Sequence, residues 1–356
     1  MKRSLTNPQL RPLAAGSAAA FATIAGIYIG SGAMAHFDPA LFWYALASVL
    51  AAFAVAYRFT LWASRPPSRM YFKRGFQLLL RRGPRYGKAA PAAPERELAK
   101  AGAVNFAGQN FIRKRSYYRW IMHLCLSGGC TLAFAVTFPL VFGWIHFTTP
   151  TEDAEIYNVV AFGMVVDTFS IHSAKAFLAF NVLNIAGVAV MIGLAMAGYR
   201  RLTDAGERAT QTFYEDILPL ILIAFVTVTG LALTFSYKFL EGLGHQAMVW
   251  IHMASVIALL FYIPFGKLFH MFQRSCALCV AMYKKAGKSE EQATCLVTGE
   301  PYASKRHVED LKEVLDQLGF DYRLETADGK TVHYQDISPQ GRRRLVALGQ
   351  GRALDR

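Results

Sequence analysis

Charge is what this chain has least of. Only 17% of its 356 residues are Asp, Glu, Lys or Arg, against roughly a quarter in soluble domains, and that deficit excludes an ordinary water-soluble globule. Acids are scarcer than bases, 24 against 38, which leaves a net charge of +14. Cysteine is sparse and odd in number (Cys125, Cys130, Cys276, Cys279 and Cys295). None falls in an expected outer loop, which excludes a disulfide framework. No cleavable signal peptide is expected, because the apolar run after Met1-Lys2-Arg3 is long enough to span and a second follows closely. An internal repeat of the kind many transporters carry is missing too.

What the chain has instead is long apolar runs, each about the ~20 residues needed to cross ~30 Å of hydrocarbon. They predict spanning helices at about 13–35, 40–63, 118–147, 176–199, 214–236 and 247–272. The net positive charge suggests nucleic acid, but its distribution argues against that partner: basic residues crowd into alternate connecting segments, as the positive-inside rule requires. The segment after the second run holds Arg65, Arg69, Lys73, Arg74, Arg81, Arg82, Arg85, Lys88, Arg96, Lys100, Arg113, Lys114 and Arg115 against Glu95 and Glu97 alone. It is therefore expected on the cytoplasmic side of a bacterial inner membrane. By alternation both termini are inside, with Arg200, Arg201 and Arg208, while Glu152, Asp153 and Glu155 are outside.

The fold class expected is an all-α membrane protein of about six spanning helices with a small α+β cytoplasmic C-terminal domain. Its parts are a transmembrane hairpin (1–63), a basic linker with a surface helix (64–117), a four-helix core (118–275) and a C-terminal domain (276–356). Residues 70–82 mix aromatic, aliphatic and cationic side chains, and read as a helix on the cytoplasmic leaflet with its basic side on anionic lipid headgroups. Residues 84–112 are rich in Ala, Gly and Pro and read as a linker; 157–171 are apolar and read as a short interfacial helix on the outer side. In the C-terminal domain, His307–Leu318 has helical periodicity. Asp321–Glu325 and Thr331–Tyr334 read as strands joined by an Asp328-Gly329 turn. That domain is too small to bury much core alone, so it leans on a partner or on the membrane domain, or folds back on the basic surface helix.

Ionisable residues inside spanning helices are costly and so are candidates for function. His252 and His270 are 18 residues apart in the sixth run, which on one helix is five turns at ~3.6 residues, one face and about 27 Å of rise. One helix would then supply an axial ligand near each membrane surface, the arrangement that holds two stacked b haems. His123, four residues after Arg119, matches the depth of His270, four before Arg274, and the two are paired around an inner haem. For His252 the outer partner is His146, which a straight helix places ~140° from His123 unless Pro139 bends it, or else His172. Two b haems are favoured, with a single inner haem as the other outcome. The absence of a C-x-x-C-H stretch means noncovalent binding.

The stretches Trp250-Ile-His252, Pro264-Phe-Gly-Lys-Leu-Phe-His270, Arg119-Trp-Ile-Met-His123, Phe138-Pro-Leu-Val-Phe-Gly-Trp-Ile-His146 and Glu215-Asp216-Ile-Leu-Pro-Leu carry a likeness. Over roughly residues 115–275 the chain resembles the respiratory nitrate reductase gamma-subunit-like membrane cytochromes b, which include the sulfite-reductase- and heterodisulfide-reductase-linked membrane subunits. The resemblance implies b haem, quinone as substrate, and electron exchange with cytoplasmic iron–sulfur or flavoprotein subunits. It departs at Ala133, ten residues after His123, where the nitrate reductase subunit has a second histidine.

Lys267 is a candidate contact to a haem propionate or a quinone carbonyl, or a side chain reaching headgroups. Asp167 and Lys175 are candidates for proton transfer on the outer side, or simply interfacial. Glu215 and Asp216 suit the N-terminal dipole of the fifth helix, and Gly128-Gly129 suit close helix packing or room for a porphyrin face. Cys276, Cys279 and Cys295 are ordinary reduced thiols or, with His307, a metal site. Cys295-Leu-Val-Thr298 and Ser338-Pro-Gln-Gly341 also resemble a zinc ribbon that keeps one ligand of four, so no zinc is expected. The function expected is a cytochrome b subunit relaying electrons between the quinone pool and a cytoplasmic oxidoreductase. The competing classes are a transporter and a non-redox membrane anchor.

Overall fold

Runs of about twenty apolar residues without charge can satisfy their backbone in lipid only as helices, and the computed structural model has, among the described residues, six that are long and apolar enough to cross a membrane. It describes residues 10–80, 94–150, 153–325, 329 and 331–354. Lys2, Arg3, Arg81, Arg82, Arg85, Lys88, Glu152 and Asp328, and with them part of the 84–112 linker, lie outside the described residues. The chain is mostly helical, 72%, with a small C-terminal strand region, and it is a multi-pass membrane protein by the character of those helices.

In chain order the helices are α1 (Leu10–Gly30), α2 (Phe42–Ala63), α3 (Ser68–Leu79), α4 (Pro94–Ala101), the single turn α5 (Asn110–Arg113) and α6 (Tyr117–Val141). Then come α7 (Ala174–Thr203), α8 (Ala205–Thr210), α9 (Leu218–Phe239), α10 (His245–Phe265), α11 (His270–Gln273), α12 (Ser275–Gly287), α13 (Lys305–Leu318) and α14 (Pro339–Leu354). The strands are β1 (Ile145–Thr148), β2 (Ile156–Ala161), β3 (Met164–Ser170), β4 (Gln292–Thr294), β5 (Pro301–Ser304), β6 (Arg323–Glu325) and β7 (Thr331–His333).

The chain divides into two compact units. The first is Met1–Thr60 with Gln109–Met271. In it α6 packs on α7, α7 on α9 and α9 on α10, around Val190, Ile223 and Leu259 with Leu126, Cys130, Leu194, Val226 and Leu268 against them. Glycine sets the closest approach: a Cβ on Gly129 would lie 2.5 Å from Val190 and 2.8 Å from the carbonyl of Ala186, whereas Gly128 has open space beside it. A second cluster, Ile27, Ala45, Val141 and Phe142, joins α1 and α2 to the end of α6.

The third helix, expected to run to 147, ends at Val141. Gly143 at φ +70 turns the chain, and Ile145–Thr148 becomes β1, so His146 sits on a strand. The helix expected at 157–171 is likewise absent; β2 and β3 pair antiparallel there, and β2 pairs with β1 to make a three-stranded sheet. The physical reason is local. Ile156–Ala161 and Met164–Ser170 are rich in β-branched residues and flank Phe162-Gly163, whose φ values of +52 and +79 make a two-residue hairpin turn.

The sixth helix, expected as one rod over 247–272, is broken. α10 stops at Phe265, Gly266 adopts φ −94 and ψ −167, Lys267–Phe269 form one 3-10 turn, and His270 begins α11. Pro264 has no N–H to continue the ladder and Gly266 takes the extended conformation cheaply. His252 and His270 therefore do not share the face of one continuous helix, and the five-turn argument does not apply to them.

The second unit, Leu61–Gly108 with Phe272–Arg356, is discontinuous in sequence. The surface helix and the C-terminal domain belong to it together, the arrangement in which the domain folds back on the basic surface helix. Leu78 of α3 is fully buried against Met282, Tyr283 and Ala286 of α12, with Met70, Tyr71, Leu79 and Leu98 around them. A Cβ on Gly75 would lie 2.5 Å from the Cβ of Cys279, so α3 and α12 cross almost backbone to backbone. Arg74 forms a two-pronged ion pair with buried Asp310 of α13, and Asp310 also accepts from the Tyr283 hydroxyl at 2.6 Å. The basic side of α3 thus meets acid from its own chain. Beyond α13, β6 pairs antiparallel with β7.

Candidate functional site

Imidazole ligates a metal through the ring nitrogen that carries no proton, and a hydrogen bond at the other nitrogen selects that tautomer. Three of the intramembrane or membrane-edge histidines are held this way. His123 lies in the second turn of α6, after an N-cap in which the Ser116 hydroxyl accepts from Arg119 N–H. Its Nδ1 is 2.7 Å from Oε1 of Gln109. The amide nitrogen of Gln109 donates to Ser127 Oγ at 2.6 Å, and Ser127 donates back to the His123 carbonyl at 2.7 Å. Since the amide oxygen can only accept, His123 donates from Nδ1 and its lone pair is on Nε2. Gln109 is buried and left-handed at φ +49, a conformation that costs a non-glycine residue energy.

His252 in α10 repeats the device with other parts. Its Nδ1 is 2.9 Å from Thr229 Oγ1 on α9. The Thr229 hydroxyl is directed at the carbonyls of Phe225 and Val226, 2.7 and 3.1 Å away, so it accepts from the ring and Nε2 again carries the lone pair. Gly230 makes the approach feasible, since a Cβ there would stand 3.2 Å from His252 Cε1. His270 donates from Nδ1 to the Lys267 carbonyl at 2.7 Å, a contact that exists only because the chain leaves the helix at Gly266.

His146 is placed differently. Its ring stacks on His36 with centroids 4.2 Å apart and 22° between planes. Its Nδ1 is buried with no hydrogen-bond partner among the described residues. Burial, then the neighbouring His36, hold its pKa below the usual histidine value. His172 is exposed in the turn before α7, its backbone N–H donating to Ser170 Oγ at 3.3 Å. Among the described residues no group of three or more His, Cys, Asp or Glu side chains is assembled to hold a metal ion; two axial imidazoles would not make such a group.

Lys267 pairs with Asp216 from the start of the fifth spanning segment, and Arg201 lies 3.8 Å from the same carboxylate. Asp216 thus does more than favour a helix dipole. Asp167 and Lys175 pair with each other at 3.0 Å, and the hydrogen bond from Lys175 lowers the carboxylate's pKa.

Comparison with protein families, characterised proteins and solved structures finds no match. Geometry and chemistry alone therefore bear on the site.

Besides Gln109 and Thr229, two residues of the site escaped the reading of the histidines. Arg58, inside apolar α2, donates from its guanidinium to the Pro264 carbonyl, and its Cζ lies 4.4 Å from the centre of the Phe269 ring. It satisfies an acceptor that the helix break leaves without its usual donor. Phe269 and Pro264 are both fully buried. A charged residue within an otherwise apolar run was the available signal. His36 was the other, visible only as a histidine in the short connection between the first two apolar runs.

Cys276 and Cys279 do not open onto a site. Both point into the α3–α12 contact, and burial pushes their thiols up, Cys276 to about 11. Cys295 is the opposite case. Burial raises its pKa, but hydrogen bonds involving Ser338 and Thr298 outweigh that and bring it down to about 6. Ser338 N–H is 3.2 Å from its Sγ, and a Cβ on Gly341 would stand 2.8 Å from the same sulfur. The positions that resemble the four corners of a zinc ribbon converge, with hydrogen bonds in place of a metal.

Proposed function

We propose that this protein is a membrane cytochrome b subunit that relays electrons between the quinone pool and a cytoplasmic iron–sulfur or flavin oxidoreductase. The observation that carries the reading is the shared state of His123, His252 and His270, each donating from Nδ1 to a protein oxygen, which is the tautomer whose lone pair lies on Nε2. The donor set fits b haem, for which neutral imidazole is a common axial ligand. Bound there, haem would supply a one-electron carrier in a low-dielectric site. The chain's own part is to hold the imidazoles: Gln109, Thr229 and the Lys267 carbonyl fix tautomer and ring plane, and Arg58 fixes the chain break that presents His270.

The inner site is His123 with His270. His123 is six residues into α6 and His270 five past the end of α10, which antiparallel threading brings to one side of the membrane. A second haem on His252 needs either His146, which must then leave its stack on His36, or His172. The likeness to nitrate reductase gamma-type cytochromes supports the same reading, as does the basic 64–117 segment, which argues for a bacterial inner membrane with both termini cytoplasmic. A transporter or a non-redox anchor has no use for three histidines oriented alike.

A reduced-minus-oxidised visible spectrum with a pyridine haemochrome assay on the purified chain decides it. Protohaem bound noncovalently is expected, and its absence ends the reading. His123→Ala and His270→Ala should each remove the same haem; loss of different haems breaks the pairing.

A further inference from the structure

A strand half buried in a sheet alternates apolar and polar residues across its faces. β3 does not. Met164, Val165 and Val166 are 65%, 59% and 58% exposed on both faces, and Phe162 at the turn before them is 60% exposed. Polarity changes along the strand instead. Past Val166 come Asp167, paired with Lys175, and Thr168, whose hydroxyl donates to Asn158 at 3.0 Å. The exposed side chains of β3 are apolar near the tip and polar, Asp167, Thr168 and Ser170, toward the base.

The tip is also strained in a telling way. Phe162 and Gly163 have φ +52 and +79, a turn that usually takes Asn, Asp or Gly first. A bulky residue there is a genuine outlier, and such an outlier points to a use. A water-exposed Phe at that position would combine backbone strain with apolar exposure.

The tip's depth can be read from two hydrogen bonds. Phe162 N–H donates to the Trp144 carbonyl at 2.8 Å, and the Trp144 indole donates to the Gly26 carbonyl at 2.8 Å. Gly26 is four residues inside the end of α1, about 6 Å along the axis. The tip therefore lies at the level of the last turn of a spanning helix, where Trp residues of membrane proteins gather. The base is tied to α7 through Phe180, which packs against Phe147 and Tyr157 with centroids 5.3 and 5.2 Å apart.

We infer that the Phe162–Val166 hairpin tip is a lipid-binding wedge, inserted into the bilayer leaflet at the ends of α1 and α6 that it adjoins. The inference rests on the helices spanning a membrane and is independent of any haem. Lipid is the fitting occupant because the apolar tip joins α1 through Trp144, whose ring lies 5.9 Å from that of Phe162 and whose indole donates to Gly26, and the last turn of α1 leaves Tyr28 and Ile29 exposed.

The test is a diazirine photo-cross-linking amino acid at position 162 or 165 of the full chain in its native membrane, with position 168 as control. Mass spectrometry of the adducts should find acyl chains attached at 162 and 165, several-fold above 168. Phe162→Asn, which suits the turn better, should fold and lower lipid labelling at 165. Equal labelling at 162 and 168, adducts to a second copy of the chain, or adducts to another protein would each overturn the inference.

Discussion

At the scale of the residue, the oxygens behind the imidazoles are as informative as the imidazoles. Thr229→Val keeps the volume but removes the acceptor for His252 Nδ1. It should weaken metal holding at His252 by about 10–100-fold, read as haem retained at low protein concentration. Gln109→Leu should do the same at His123 and leave His252 untouched. Arg58→Met should loosen the Gly266–His270 turn, seen as faster hydrogen exchange of the 264–270 amides and a shifted midpoint potential, with Arg58→Lys recovering part of both. Faster exchange with no haem in the wild type would keep the role of Arg58 and discard the haem. His123, His252 and His270 stood out in the sequence because histidine is rare inside apolar runs. Gln109 and Thr229 were not, because an uncharged polar residue has nothing in sequence that marks which side chain it will meet.

The elements divide along similar lines. Six spanning helices were legible because lipid leaves the backbone no other choice over twenty apolar residues. The short segments at the membrane surface escape that constraint, and there local chemistry decides. The hairpin at 156–170 was written in its β-branched runs around Phe162-Gly163, but apolar content alone suggested a helix. The break in the sixth helix was written in Pro264 and Gly266, but an unbroken hydropathy signal hid it. A Cβ on Gly266 would lie 2.1 Å from the Tyr262 ring, and the Tyr262 hydroxyl donates to the Tyr214 carbonyl at 2.7 Å. Gly266→Ala must therefore displace a ring that is itself held. It should cost about 1–3 kcal/mol as an overpacked site, measured as a lowered melting temperature in detergent, with His270 the imidazole most disturbed.

At the scale of the molecule, the two units make separate predictions. In the second, Cys295 has a pKa of about 6 against ~8.5 in an unfolded chain. A depressed acid stabilises the fold fully above the unfolded value and loses that contribution as pH falls through the folded one. The melting-temperature gap between wild type and Cys295→Ala should therefore widen from pH 6 to pH 9; a gap independent of pH would mean a neutral thiol. Truncation after Arg274 removes α12 and α13 and uncovers Leu78 and Arg74 of α3. The first unit should keep its visible spectrum while residues 61–108 become sensitive to protease, and unchanged digestion of that segment would mean α3 is held by something else. The discontinuity of this unit also sets an order of events during synthesis. About 195 residues separate the end of α3 from the start of α12, which at ~5–20 residues per second is roughly 10–40 seconds of translation. For that interval α3 has its apolar face and its cations but not the Tyr283 and Asp310 that will cover them. An amphipathic cationic helix in that state adsorbs to an anionic leaflet, so the membrane acts as a temporary partner that the finished C-terminal domain must displace.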